Sequence, residues 1–479
     1  MKVLYMIYFT NIILLFLLYK LTKLGCYCKA NNIPLNYRFT ISIPMEYNEG
    51  FNGRAYVMET NQMPLNFRTA VSVDADQGRY SCTLQVFLGS VMVWSSGHHL
   101  RFYTLDVCVL ELNEFGDLRL KGYNGQIGWR TATSGQGVQK LQLLDNGNLV
   151  LLDAQENIKW QTFNFPTNVL LMGQKLSVAT HLTSPFLTNN NTTSFFSFEI
   201  HYDKLALYFN SVDNNKNVKY SYWEFQPSPT TNITFIDLSS NGLDLFDPLY
   251  RNFSQIVPPV RQQVRFVVLD NDTGNLGFYY YSPYKDKFEA SFEVLNDTCD
   301  LPLACSPYGI CTFSNTCSCI RLLMNYSGDH TSKNDCEDGI TKGLCRKDRV
   351  EMLELKDASS VVRNPTIMSN VSKNECANSC LNDCECAAAL YSSSVGECMF
   401  YETVKGVKQV NAGSGLSYLV KVSRASLGKQ KKSGLRKWVL VLVVVVDGFI
   451  LCVVVGGLAY FGIWWTRRRS SNCSSSVTS

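Results

Sequence analysis

With 44 Lys and Arg set against 40 Asp and Glu, this 479-residue chain carries a formal charge of only +4. Its basic residues form no aromatic-interleaved patch, which excludes a nucleic-acid binder of the electrostatic kind. Sixteen of its 18 cysteines precede residue 438 and twelve crowd between Cys299 and Cys398, a density that points to stapled modules in an oxidising compartment.

The chain opens on Lys2 and an apolar run from Val3 to Leu18, the charged head and hydrophobic core of a secretory signal, predicted over 1–28. Lys20 and Lys23 interrupt the region and the nearest small residues are Gly25 and Ala30. The cleavage site stays open, and an uncleaved anchor is the competing reading.

From about Phe51 to Leu176, short alternating runs and glycine-rich turns predict strands. Leu110, Leu112, Gly116, Leu118, Leu120 and Trp129 recur as Leu141, Leu143, Gly147, Leu149, Leu151 and Trp160, each 31 residues on. Trp94, in VWSS, lies 35 residues before Trp129, with a blurred leucine pattern ahead of it. Alternating leucines turn one strand face inward, and a unit this short cannot bury that face alone. Three such units therefore predict an all-β prism closed around the tryptophans.

The stretches LLDNGNLVLLD (143–153) and WQTFNFPTNVLLMGQKL (160–176) resemble the bulb-type, mannose-binding lectin domain of plant S-domain receptor-like proteins. The resemblance assigns a lectin-like domain to 50–176. That family's sugar site follows Q-x-D-x-N-x-V-x-Y, whose five positions fall here on Leu144, Asn146, Asn148, Val150 and Leu152. One unit earlier they fall on Asn113, Phe115, Asp117, Arg119 and Lys121. Neither set keeps the family's donors and acceptors, so the resemblance implies degenerate sugar positions on a fold retained for packing.

Residues 177–295 stay β-rich and resemble the S-locus glycoprotein segment of the same family, read as a second lectin-like domain. Asp270, Asp272 and Gly274 predict a hairpin turn, since no carboxylate stands at the twelfth position of a calcium loop. Acceptor sequons for N-glycans occur at Asn190, Asn191, Asn232, Asn252, Asn271, Asn296, Asn325 and Asn370, which predicts a glycosylated surface.

Cys299, Cys305, Cys311, Cys317, Cys319 and Cys336 resemble the EGF-like module of S-domain proteins, placed at 296–337. Zinc competes for close cysteines, but the absence of CxxC pairs and a lone His330 favour disulfides. Cys345, Cys376, Cys380, Cys384, Cys386 and Cys398 resemble the PAN/apple module, placed at 343–423. Within it Cys376 and Cys380 lie one helical turn apart, so both face one way from a short helix. Six cysteines allow fifteen pairings and spacing selects none. Cys82 and Cys108 remain for a pair in the front domain.

A basic stalk (424–437) leads to an apolar run over 438–465, long enough for a transmembrane helix, and then to a polar tail, 466–479. Gly448, Cys452 and Gly456 share one helix face and would admit close helix approach, hence a homodimer. No histidine stands in a catalytic or metal-binding motif. His98 and His99 read as successive strand positions on opposite faces, unable to clamp one metal. No catalytic residue, metal or cofactor is predicted. The family usually carries a cytoplasmic kinase, for which the 14 residues after Trp465 leave no room. The sequence thus predicts a kinase-less type I single-pass plasma-membrane glycoprotein, with a glycan or protein ligand outside and a receptor kinase as partner. The competing reading is a carbohydrate-binding or adhesion protein at the cell wall with no signalling partner.

Overall fold

The computed structural model describes residues 31–43, 50–61, 65–76, 78–189, 192–213, 216–227, 231–259, 262–305, 308–320, 350–363, 366–423, 448, 451 and 453–464. The signal segment 1–28, the stalk 424–437, the tail 466–479 and the residues Asn190, Asn191, Asn325, Cys336 and Cys345 lie outside them.

The front of the chain forms three antiparallel sheets, each of four principal strands. In chain order, one holds Asn52–Glu59, Phe67–Asp76, Arg79–Leu88 and Val91–Ser95. A second holds Tyr37–Ser42, Val107–Leu112, Leu118–Lys121 and Ile127–Arg130. The third holds Asn32–Pro34, Val138–Leu143, Leu149–Asp153 and Ile158–Gln161. The repeated leucines explain the closure: Leu110, Leu112, Leu118 and Leu120, like Leu141, Leu143, Leu149 and Leu151, are all fully buried in one core. Each unit also needs its glycine. Gly116 and Gly147 turn their hairpins at φ +80° and +85°, and a Cβ there would meet Val138 at 2.7 Å and Phe67 at 2.4 Å. The prism takes in two strands ahead of the segment 50–176.

A second three-sheet prism follows. Its sheets are Val169–Leu171, Phe266–Leu269, Leu276–Ser282 and Lys287–Glu293; Lys175–Ser177, Phe235–Ser239, Gly242–Phe246 and Asn252–Ile256; and Leu182–Thr183, Thr192–Ile200, Leu205–Asp213 and Lys216–Phe225, with Leu187–Asn189 paired alongside. Two of these sheets begin with strands from 169–177. The first sheet is shared by both cores. Strand alternation sends Val169, Leu171 and Phe266 into the front core, while Leu170, Val267 and Leu269 enter the second. In the turn between two of its strands, the Asp270 carboxylate accepts the Thr273 N–H at 2.8 Å and the Thr273 hydroxyl at 2.7 Å, a closed hairpin turn.

The cysteine modules dock on the second prism. Strands Gly309–Cys311 and Cys317–Cys319 join a sheet with Val407–Gln409 and Ala358–Ser360. Cys299 bonds to Cys311 and Cys305 to Cys317. The helix Lys373–Asn382 starts in a capping box: the Glu375 N–H donates to Ser372 Oγ, and the Glu375 carboxylate accepts the Ser372 N–H at 2.7 Å. Its buried cysteines pin it, Cys376 to Cys398 and Cys380 to Cys386. Cys319 and Cys384 are also disulfide-bonded. Tyr220 of the second prism packs on Tyr401, which packs on Tyr418, and the Glu402 N–H donates to the Tyr220 hydroxyl at 2.9 Å.

Gly448, Leu451 and Val453–Trp464 are helical and belong to a separate unit. Among the described residues no helix is long and apolar enough to cross a membrane.

Candidate functional site

The three tryptophans of the front prism meet edge to face. Trp94, Trp129 and Trp160 stand 5.8–6.1 Å apart between ring centroids. Two residues after each comes a hydroxyl: Ser96, Thr131 and Thr162. Each accepts a backbone N–H from its unit's middle strand, Leu84 at 3.0 Å, Leu118 at 3.1 Å and Leu149 at 3.0 Å. The sequence signal is W-x-S/T in WSS, WRT and WQT. It aligns the first unit with the others where the leucines do not.

That alignment shows what became of the sugar positions. In the third unit Leu144 is half-buried, and the exposed Asn146 accepts the Asn148 N–H at 3.1 Å. Asn148 is buried and spends its amide internally. It donates to Gln161 at 2.8 Å, and its oxygen accepts the Thr162 hydroxyl at 3.1 Å and the Phe163 N–H at 3.3 Å. Val150 and Leu152 are buried and apolar. The second unit is occupied in the same way. Asn113 accepts the Asp117 N–H at 2.8 Å, and Phe115 is exposed. Asp117, buried, pairs with Arg119 at 2.8 Å and accepts the Thr131 hydroxyl and the Thr133 N–H, both at 3.2 Å. Lys121 pairs with Glu111.

The first unit differs, and it is where reading by leucines missed a site. Thr83 precedes Leu84 as Asp117 precedes Leu118 and Asn148 precedes Leu149, so Ser81, Thr83 and Gln85 occupy the same register on one strand face. All three are buried and polar. Gln85 accepts the Ser72 hydroxyl at 2.6 Å, whereas Thr83 Oγ1 has no hydrogen-bond partner. They floor a cavity of about 390 Å³ walled by Asn52, Arg54, Asp74, His98 and Arg101. Burial is the largest influence on Asp74 and raises its pKa, opposed by the Ser81 hydroxyl and the nearby arginines. The cleft therefore offers hydroxyl, amide, carboxylate and guanidinium groups around an unsatisfied buried oxygen. That is chemistry for a polyhydroxylated ligand rather than for bond breaking.

His98 and His99 are not strand residues. They sit in a bend after Val91–Ser95, with rings 4.7 Å apart, because the strand ends at Ser95 and the chain turns through Gly97. His98 is tied by Nε2 to the Thr183 carbonyl at 2.7 Å. Among the described residues no cluster of three or more His, Cys, Asp or Glu could hold a metal. Cys82 and Cys108 are bonded, joining two sheets of the front prism. Of the sequon asparagines, Asn232, Asn252, Asn271, Asn296 and Asn370 are exposed.

Comparison with known proteins agrees with this architecture. The family model for D-mannose binding lectin matches residues 92–190, and that for the PAN domain matches 347–422. The G-type lectin S-receptor-like serine/threonine-protein kinase SD2-5 of Arabidopsis thaliana is 24% identical over 70% of this chain and 41% of its own length. A PAN domain-containing protein of the same plant is 25% identical over 74% of this chain and 71% of its own. EP1-like glycoprotein 3, also from that plant, is 25% identical over 65% and 74%. This chain thus spans less than half the length of the receptor-kinase relative.

Proposed function

We infer that this chain, a member of the plant S-domain family with bulb-type lectin and PAN domains, is a cell-surface receptor-like glycoprotein that binds an extracellular ligand and works through a separate receptor kinase. One observation carries the binding part. Two of the three lectin units have spent their sugar-site groups on internal bonds, while the first keeps an open polar cleft with the Thr83 hydroxyl unpartnered. A buried hydroxyl without a partner costs about 1–3 kcal/mol, which a ligand hydroxyl in the cleft would recover. The apolar run 438–465 supports a membrane anchor, and the exposed sequons support a glycosylated surface. No kinase motif occurs in these 479 residues. Close approach of two copies through Gly448, Cys452 and Gly456 belongs to the same proposal.

Two experiments test it. Glycan-array binding by the detergent-solubilised chain should fall at least tenfold with Thr83→Val combined with Gln85→Leu; unchanged binding would remove the cleft from the account. Proximity labelling from the segment after the apolar run, against a control lacking that segment, should recover one receptor kinase. Recovery of bulk membrane proteins alone would favour the second reading, carbohydrate binding or adhesion at the wall without a signalling partner.

A further inference from the structure

A second concavity of the front prism lies where its three tryptophans meet, apart from every position of the sugar pattern. Its volume is about 590 Å³, within the range that encloses a small ligand. Trp94, Trp129, Trp160 and Phe165 supply its apolar walls. Phe165 is 53% exposed and stacks on the buried Trp160 at 5.8 Å with 23° between the planes. The polar lining is one-sided. Arg130, His98, His99 and His181 border the cavity, and among the described residues no Asp or Glu does. Arg130 is exposed and pairs with no described carboxylate. His98 is already committed to the Thr183 carbonyl at 2.7 Å. Burial, with repulsion from His181, lowers the His99 pKa, and Glu199, which His181 influences, is itself paired with Lys219 at 2.6 Å. The cavity is thus aromatic, bordered by one guanidinium and three imidazoles, and lined by no described carboxylate.

We propose that this cavity binds a carboxylated sugar, a uronate unit of a short acidic oligosaccharide. Indole and phenyl surfaces cover the C–H faces of the pyranose ring. The Arg130 guanidinium takes the carboxylate through paired N–H donors, and the free imidazoles of His99 and His181 meet ring hydroxyls. A neutral sugar would leave Arg130 unanswered, and a simple aromatic acid would leave the imidazoles without hydroxyl partners. This proposal rests on the ligand-binding reading above but concerns a different site from the Thr83 cleft.

The test titrates the full chain in detergent micelles with digalacturonate, using calorimetry and tryptophan emission, since three indoles border the site. Galactobiose serves as the neutral sugar and phenylacetate as the sugar-free acid. Digalacturonate is expected to bind and to perturb emission, with galactobiose and phenylacetate at least tenfold weaker. Arg130→Ala, at an exposed side chain, should weaken digalacturonate at least tenfold, and Phe165→Ala should weaken it without changing the preference for acid over neutral sugar. No binding of digalacturonate, equal binding of either control, or an undiminished Arg130→Ala variant would overturn the proposal. The two sites fail separately. Array binding that depends on Thr83 but persists without any uronate response sinks this cavity alone, whereas absence of both sinks the ligand-binding reading too.

Discussion

The hydroxyl two residues after each prism tryptophan should be a main determinant of the front domain's stability, and Thr162 tests this most sharply. Thr162 is 2% exposed; its hydroxyl accepts the Leu149 N–H at 3.0 Å and donates its proton to the Asn148 side-chain oxygen at 3.1 Å. Thr162→Val keeps the shape and removes both bonds. The Leu149 N–H, on a fully buried residue, then loses its partner, at about 1–3 kcal/mol, while Asn148 still accepts the Phe163 N–H. The expected loss is about 2–3 kcal/mol, or roughly 5–10 °C in Tm for a domain of this size. Thr162→Ser keeps the bonds and deletes one buried methyl, at about 1 kcal/mol. Melting followed by tryptophan emission reads the difference, because Trp160 lies two residues away. If Thr162→Val melts at or above Thr162→Ser, burial rather than hydrogen bonding holds the unit, and the role assigned to Ser96 and Thr131 falls with it.

Removing the Cys82–Cys108 disulfide by double alanine substitution opens a crosslink of 26 residues in sequence separation and should cost about 3.5 kcal/mol on chain-entropy grounds, read as a Tm that no longer responds to reductant in the front-domain transition. Burial lowers the His98 pKa to about 4 against an ordinary value of 6.5, and repulsion from His99 adds to this against the bond to Thr183. The folded state therefore prefers the neutral ring: its stability is complete above about pH 6.5 and declines as pH falls toward 4, by about 3 kcal/mol in all. Denaturation midpoints of wild type and His98→Gln between pH 7 and 4 should converge, and parallel curves would refute this. Enzymatic deglycosylation should shift the mobility of the chain expressed in plant cells, with Asn→Gln changes at the exposed Asn232, Asn252, Asn271, Asn296 and Asn370 each removing one step.

The 31-residue repeat was legible because eight core leucines sit at unbroken spacing and all are buried. The first unit was not, for a physical reason. Its middle strand puts Thr83 and Gln85 where the others put Asp117 or Asn148 and Arg119 or Val150, and its tryptophan follows the reference leucine by 10 residues rather than 11. The leucine pattern thus fails where the strand face has been given to a polar cleft. The β-rich character of the second prism was readable from strand and turn chemistry, whereas its reading as a second lectin-like domain came from the family resemblance alone. The cleft and the histidine-rimmed cavity were not readable, because each assembles residues from segments about 30 to 90 positions apart, such as Asn52 with Thr83 in the first and Trp94 with His181 in the second. Strand pairing alone brings such residues together. Likewise His98 and His99 continue a strand pattern in sequence, and only the turn through Gly97 takes them out of it.

The shared sheet decides where this protein can be divided. VLL at 169–171 and FVVL at 266–269 are unbroken apolar runs, the signature of strands buried on both faces. Here the two faces belong to two cores, with Val169, Leu171 and Phe266 in the front one. A fragment ending at residue 176 keeps Val169 and Leu171 but loses Phe266 and the packing of Val268, Tyr279 and Phe288 against that core. These four side chains at up to about 1.5–3 kcal/mol each come to at most about 6–12 kcal/mol, comparable to the whole stability of a typical domain. The fragment 31–176 should therefore be unfolded or aggregate, whereas 31–295, which keeps the shared sheet whole, should melt cooperatively. A cooperative transition in 31–176 at the temperature of the longer fragment would show that the two prisms are independent folding units and that their common sheet is only a contact between them.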